Sequence, residues 1–408
     1  MKFVDDTVLA MEQALVEDPD DLASHMAYAD YLHDKGDPRG ELIQIQLALE
    51  DENHSPHERK KLQAREEKLL KKHEREWVGE LAPWLTDQKG LTLNGHQDSD
   101  EEYRYTFKRG WIDTIISTVC SPSFTARLAR SPESRLLRHL AIRSEEGSYD
   151  TSDELIGTPD RDHWLSLFPL LKAENLSNVR IFEVGELDSW ENPSEEYNCD
   201  SAGIEAVQII KKMPRIEELY LLASEIDMSE LFSLRTLNQL RILLVYHMGA
   251  EYPLSRLAKN PSLSNLTHLL LYPHGSPGMY NNDEPYLTND GIKAVLRSKH
   301  LTSLTHLQLR MSDFGDKGCK ELVNSGRLQQ LKFLDLRLGF ITDEGANALA
   351  ECEDIGNLDY LNVARNQISP EAVCKLKAKV TKIDASDQFE HDHNRESIFE
   401  EFVEGDGE

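Results

Sequence analysis

The sequence is poor in positive charge, since 45 lysines and arginines stand against 73 aspartates and glutamates and the net charge is −28. Nucleic acids and anionic membranes bind proteins mainly through basic surface, so this balance argues against both as partners. So much acid favours a soluble protein in general, and a basic partner is a more specific alternative.

Cysteines and long apolar runs are also scarce. The five cysteines are scattered and form no Cys-x-x-Cys pair, which indicates reduced thiols rather than a disulfide framework or a zinc site. No stretch of about 18 apolar residues could span a membrane. Residues 1–15 mix charged and apolar residues, so no secretory signal is expected. Together these features predict a cytoplasmic protein.

Sequence patterns that carry known chemistry are missing as well. The chain has no glycine-rich phosphate loop, no H-E-x-x-H pair and no G-x-S-x-G elbow. His391-Asp392-His393 is a weak chelating pattern that we expect to bind no metal. The sequence therefore predicts a non-enzymatic protein without a cofactor or a small-molecule substrate.

A leucine pattern that recurs every 27 residues dominates the second half of the chain. Leu304, Leu331 and Leu358 occupy equivalent positions in three blocks of the form L-x-x-L-x-x-L-x-L. Weaker copies lie upstream, at 176–184, 213–221, 237–245 and 263–271. The last apolar pair of each block alternates with variable residues, as a strand with one buried face requires. Helix starts follow at 315–318 and 342–345, so each unit is predicted to be a strand followed by a covering helix.

These motifs, Leu304-x-x-Leu307-x-Leu309 above all, resemble the leucine-rich repeats of the ribonuclease-inhibitor type over roughly residues 110–385. The resemblance implies an α/β solenoid with a curved parallel sheet inside and helices outside. Such arrays bind other proteins, so the expected partner is another protein. An alternative is a regulator of a GTPase or other enzyme that acts by binding.

The N-terminal region is predicted to be helical. Residues 19–50 indicate two helices separated by a turn at 36–38, and residues 58–77 indicate a third. Residues 28–32 and 36–41 closely resemble the bacterial repeat-companion domain, which implies a bacterial origin. Asp30, Arg39 and Glu41 could form a structural salt-bridge or capping network, or a catalytic acid pair. The predicted domains are 1–85 (helical), 86–385 (solenoid) and 386–408 (acidic tail).

The strand pattern also predicts which side chains face the concave side of the sheet, in three columns of equivalent positions. Aromatic residues and arginine are enriched at protein interfaces, which makes this wall the candidate binding surface. The candidate residues on it are Tyr220, Tyr246, His268, Tyr272, His306, Gln308, Arg310, Phe333, Asp335, Arg337, Tyr360 and Asn362. Insertions after three strands extend the spacing and should project from one edge. They contribute the candidate edge-loop residues Trp190, Tyr197, Tyr280 and Tyr286.

The last 25 residues, from 384 on, are strongly acidic, with Arg395 as their only lysine or arginine. Such composition is typical of a disordered tail. An alternative is that the tail folds back onto Arg310, Arg337 and Arg365 and competes with an acidic partner.

Overall fold

The computed structural model describes residues 6–87, 103–118, 120–143, 167–185, 203–223, 225–248, 252–274 and 287–389. The chain divides into two compact units. The first is Met1–Phe182 with Lys212–Arg215, and the second is Glu183–Lys211 with Ile216–Glu408. Within each unit the strands lie side by side in chain order.

The first unit begins with five helices. They are α1 Asp6–Glu17, α2 Leu22–Asp34, α3 Pro38–Glu50, α4 Pro56–Trp77 and α5 Ala82–Leu85. Short polar side chains start them: Asp21 accepts hydrogen bonds from the first backbone N–H groups of α2, and Asp37 does the same for α3. Ser55 and Glu58 form a reciprocal capping box at the start of α4. The three helices predicted from the sequence are confirmed, whereas α1 was not predicted.

A hairpin follows these helices. Strands β1 (Tyr103–Lys108) and β2 (Trp111–Ser117) pair antiparallel, and β3 (His139–Ile142) runs parallel to β2. Helix α6 (Pro122–Leu128) connects β2 to β3, and β4 (Ile181–Val184) carries the division between the two units.

The tip of this hairpin is fastened to the helices through Trp111. The guanidinium of Arg39 lies 4.2 Å above the indole and that of Arg135 lies 5.3 Å from it, while Tyr28 stacks at 6.1 Å. Arg39 Nε donates to the carbonyl of Gly110 over 2.8 Å, and burial lowers the pKa of the Arg39 guanidinium. The helices and the hairpin are therefore one packed body in this unit, and a domain boundary at residue 85 stays a prediction.

The expected network of Asp30, Arg39 and Glu41 does not form. Asp30 accepts a hydrogen bond from Gln44, and Glu41 forms a salt bridge with Arg65. Because each member has a different partner, neither a shared ion cluster nor an acid pair exists at these three residues.

The second unit consists of parallel strands and helices that alternate along the chain. Its strands are β5 Glu218–Leu222, β6 Ile242–Met248, β7 His268–His274, β8 His306–Leu309, β9 Phe333–Asp335, β10 Tyr360–Asn362 and β11 Ile383–Asp384. Its helices are α7 Ala206–Ile210, α8 Met228–Leu231, α9 Leu254–Ala258, α10 Asn289–Leu296, α11 Gly315–Ser325, α12 Asp343–Glu351 and α13 Pro370–Lys377. Strands β5 to β11 pair only with their chain neighbours, all in parallel. The predicted α/β solenoid is confirmed.

The periodic leucines are buried as predicted. Leu307, Leu334 and Leu361 pair across β8, β9 and β10 and have no solvent exposure. One repeat alone would leave such residues in water, so neighbouring repeats stabilise each other.

The repeats that contain β9 and β10 bend in the same way after their strands. Asp335 and Asn362 accept a hydrogen bond from the backbone N–H two residues later, over 3.0 and 2.9 Å. The next residue, Leu338 or Arg365, adopts a left-handed backbone with φ of 57° or 51°. Side-chain turns of this type suit Asp and Asn, so one polar residue favours the bend in each of these two repeats.

Carboxylates also fix the start of the following helix. Asp316 accepts hydrogen bonds from the backbone N–H groups of Thr342 and Gly345, 26 and 29 residues later, over 2.9 and 2.8 Å. Asp343 in turn accepts one from Ser369 over 2.7 Å. Such bonds set the spacing between successive repeats.

Candidate interaction surface

The three predicted columns of side chains are present as neighbouring positions in the sheet. In the first column Glu218 pairs with Ile242, Ile242 with His268, and His268 with His306, and the column continues through Phe333 to Tyr360. The second column likewise runs from Tyr220 through Gln308 and Asp335 to Asn362. This register follows from the alternation of side chains along each strand.

Four rings of the first column form a continuous stack, called here the ring row: His268, His306, Phe333 and Tyr360. Successive ring centroids lie 3.8, 5.8 and 5.2 Å apart, with planes inclined by 19°, 18° and 24°. All four side chains are half-buried. Because neighbouring rings cover one another's faces, the exposed part of each ring is its edge.

Threonine hydroxyls orient the two imidazoles. Thr267 Oγ1 donates to the carbonyl of Arg241 over 2.9 Å and also forms a hydrogen bond with His268 Nδ1 over 2.8 Å. Thr305 Oγ1 makes the same pair of contacts with the Thr267 carbonyl and His306 Nδ1.

Burial keeps these imidazoles neutral. Desolvation, with His306 and Arg241 nearby, lowers the pKa of His268 to about 4. Desolvation also lowers the pKa of His306, although Asp359 partly opposes the shift. At pH 7 the ring row is an uncharged aromatic surface.

Charged side chains stand at both ends of the ring row. The ammonium of Lys382, opposite Tyr360 on the neighbouring chain segment, lies 5.0 Å from the centre of the Tyr360 ring. Beyond Ile242 at the other end, Arg241 forms salt bridges with Glu217 and Glu218. Sequence reasoning missed Lys382 because β11, the strand that follows it, is only two residues long.

Most residues of the other two columns are buried rather than exposed as expected, and Arg337 is half-buried. Tyr246 and Tyr272 are only 1% and 3% exposed, and their rings contact edge to face at 4.8 Å. Gln308 and Asn362 in the second column are buried, and so is Tyr220, whose hydroxyl donates to Glu218 over 2.9 Å. Large side chains on adjacent strands cover each other here, so these residues stabilise the sheet.

A buried ion pair joins the second and third columns. Arg310 donates from Nε and a terminal nitrogen to Asp335 Oδ2 over 3.0 and 2.9 Å, and the two side chains are 3% and 1% exposed. The same guanidinium lies 4.9 Å from the centre of the Tyr272 ring. The backbone of Arg337, whose side chain is half-buried, donates to Asp335 Oδ1. Arg310 is thus engaged within the sheet and is not available to the acidic tail.

The candidate edge-loop residues Trp190, Tyr197, Tyr280 and Tyr286 lie outside the described residues. In the described part of the chain, no group of three or more metal-ligating side chains comes together. No helix in the same residues combines the length and apolarity needed to cross a bilayer.

Comparison with known protein families identifies one repeat from its sequence. A family model described as leucine-rich repeat matches residues 300–323, which contain strand β8 and most of α11. No curated protein matches the chain. The companion-domain resemblance of the N-terminal helices stays a prediction.

Several solved structures are similar in fold. A Bacteroides fragilis protein has 18% sequence identity and a TM-score of 0.43, covering 66% of this chain and 71% of its own. An internalin from Listeria monocytogenes has 16% identity and a TM-score of 0.37, covering 68% and 67%. The tropomodulin C-terminal domain of Caenorhabditis elegans has 15% identity and a TM-score of 0.21, covering 29% and 92%.

The matched residues 300–323 hold one copy of a unit that recurs at the same spacing in β9–α12 and β10–α13, with the periodic leucines buried in each copy. The chain therefore contains leucine-rich repeats in this region.

Proposed function

We propose that the protein is a non-enzymatic, cytoplasmic protein-binding module and that its partner contacts the ring row. The observation that supports this most is the ring stack itself: His268, His306, Phe333 and Tyr360 are the part of the predicted wall that solvent can reach in a continuous line. A partner that covers these rings gains apolar burial.

The ring row has the properties of an energetic centre of an interface. Its rings are held rigidly by their neighbours and, for the histidines, by Thr267 and Thr305, so little side-chain entropy is lost on binding. Exposed ring edges carry partial positive charge and favour the faces of aromatic rings or carbonyl and carboxylate oxygens. Aromatic residues in such settings dominate measured binding energies.

The buried wall residues are proposed to have a structural role. Tyr246, Tyr272, Arg310 and Asp335 hold the sheet that presents the rings and do not themselves meet the partner. The edge-loop candidates Trp190, Tyr197, Tyr280 and Tyr286 are proposed to extend the contact.

The test replaces His306, Phe333 and Tyr360 with serine in one variant. Partners are captured from an extract of the source organism with wild-type and variant protein, identified by mass spectrometry, and then titrated singly by calorimetry. Each lost ring should cost about 1–2 kcal/mol of binding free energy, so the triple variant should bind at least about a hundredfold more weakly.

A matched control removes an exposed apolar side chain elsewhere. Met26 on α2 is 58% exposed, and Met26→Ser should leave partner affinity unchanged. If the triple variant, checked to be folded by circular dichroism, retained wild-type affinity for every captured partner, the ring row would not be the binding surface. Phe333→Ser alone serves the same purpose if the triple variant is unstable.

A further inference from the structure

Helix α4 has a charge opposite to that of the whole chain. Its 22 residues contain eight lysines and arginines against five glutamates, whereas the chain has a net charge of −28. Two of its arginines fasten the helix to other parts of the first unit. Arg65 forms a salt bridge with Glu41, and Arg75 donates to both carboxylate oxygens of Asp87 over 2.9 and 2.8 Å. The lysines therefore supply most of the positive charge that the helix presents to solvent.

These lysines lie on one face of the helix, and all of them are exposed. They are called here the lysine stripe: Lys60, Lys61, Lys68, Lys71 and Lys72. At about 100° per residue they fall within an arc of about 120°, and they extend over about 18 Å of the helix axis. No glutamate of α4 falls within that arc. Leu62, Leu69 and the buried Trp77 lie on the opposite side of the helix, so the stripe faces away from the core.

The stripe has no counter-charges among the residues that the structure describes. There, none of its five ammonium groups forms a salt bridge or a hydrogen bond. Lys68 precedes Lys71 and Lys72 by three and four residues, spacings at which side chains on a helix are neighbours and like charges repel each other. A ligand of opposite charge would therefore stabilise this face of the helix.

The size of the stripe and the charge of the chain decide between the kinds of anionic ligand. At physiological ionic strength a charge is screened beyond about 8 Å, so a short segment lying along α4 interacts mainly with the five lysines. A nucleic acid duplex or a membrane is much larger than the stripe and meets more of a chain whose net charge is −28. About six residues of extended chain match the stripe in length, at about 3.3 Å per residue.

We propose that the lysine stripe binds a short acidic segment of a partner protein, with about six or more residues rich in aspartate and glutamate. Lysine suits this contact, because an ammonium group on a flexible stem follows a run of carboxylates without the fixed geometry of a guanidinium. The stripe belongs to the first unit and the ring row to the second, so the inference does not rest on the proposed function.

Fluorescence anisotropy of the full-length chain with a labelled decaglutamate peptide tests the inference. Replacing all five stripe lysines with glutamine, which keeps a similar helix propensity, should weaken binding at least about tenfold. Raising the salt concentration from about 0.05 to about 0.2 M should remove most of this difference. The matched control makes the same change at five exposed lysines of the second unit and should leave the affinity nearly unchanged: Lys259, Lys299, Lys317, Lys377 and Lys379.

Equal peptide affinity of the wild type and the stripe variant, checked to be folded by circular dichroism, would overturn the inference. An equal loss in the control would overturn it too, because net charge and not the stripe would then be responsible. Stripe-dependent binding that is stronger for duplex RNA or phosphatidylserine vesicles than for the peptide would assign the stripe to a nucleic acid or a membrane instead. Self-association that only the stripe variant loses would make a second copy the occupant. If the stripe variant is unfolded, Lys68→Gln/Lys71→Gln/Lys72→Gln takes its place.

Discussion

Removing one member of the buried Arg310–Asp335 pair should destabilise the sheet strongly. In Asp335→Ala the guanidinium of Arg310 loses both of its bonds to Oδ2 while remaining only 3% exposed. Leaving a buried charge without its partner typically costs about 3–5 kcal/mol. The backbone N–H of Arg337 also loses its acceptor, which places the expected loss in the upper half of that range.

The assay is urea unfolding followed by circular dichroism. Wild type and variants are compared by their urea midpoints, because repeat arrays need not unfold in one step and a single free energy of unfolding is then not defined. The matched control is Glu321→Ala, which breaks an outer-surface bond between Glu321 and Arg297, whose side chain is 54% exposed. Exposed pairs contribute about 0–1 kcal/mol, so the control should shift the midpoint little.

A double variant separates the effect of the two charges from the effect of side-chain volume. Arg310→Met/Asp335→Leu removes both charges at similar volume and should be clearly more stable than Asp335→Ala, since no unpaired charge remains. If Asp335→Ala shifted the midpoint no more than Glu321→Ala, the assignment of this pair to the sheet interior would be refuted. If Asp335→Ala weakened partner binding without lowering stability, Arg310 and Asp335 would instead belong to the binding surface.

Three further predictions concern the backbone and pH. Gly185→Ala should lower the free energy of unfolding by about 2–4 kcal/mol and with it the urea midpoint, because φ is +84° and a Cβ would lie 2.1 Å from the Leu222 carbonyl oxygen. Gly40→Ala should destabilise the N-terminal helices, since its Cβ would meet the Ala29 carbonyl oxygen at 2.5 Å, and limited proteolysis should cut the variant faster. Stability should fall as pH drops from about 6.5 towards 4, because the unfolded chain binds a proton on His268 that the folded chain, with a pKa of about 4, does not. Urea midpoints measured across that pH range should show a smaller fall in His268→Phe.

Controls for the glycine variants are available in the same chain. Gly36 and Gly326 also have positive φ, of 75° and 71°, but a Cβ there would meet nothing within 4 Å. Alanine at either position should therefore cost only about 1–2 kcal/mol of backbone strain. Equal losses for Gly185→Ala and Gly326→Ala would show that the close approach to Leu222 is not limiting. A pH dependence unchanged in His268→Phe would assign the acid sensitivity to other groups.

The sequence by itself determined the repeat, the register and the alternation of strands and helices. Leu304, Leu331 and Leu358 recur at a period that only a stacked unit satisfies, and the two-residue alternation after them placed His306, Phe333 and Tyr360 in one column. The helix starts at 315 and 342 were predicted from local signals, which are apolar spacing and, for the second helix, the capping side chain of Thr342.

Only the tertiary structure decided which of the wall residues solvent can reach. Tyr246, Tyr272 and His306 look alike in the sequence pattern, yet the two tyrosines are buried against each other and Arg310, whereas the histidine is half-exposed in a stack. Neighbouring parallel strands lie about 4.8 Å apart, so a long side chain covers the equivalent position of the next repeat. The exposure of a wall side chain therefore depends on residues of the neighbouring repeats, which lie about 27 or more positions away in the sequence. A local sequence pattern contains no information about them.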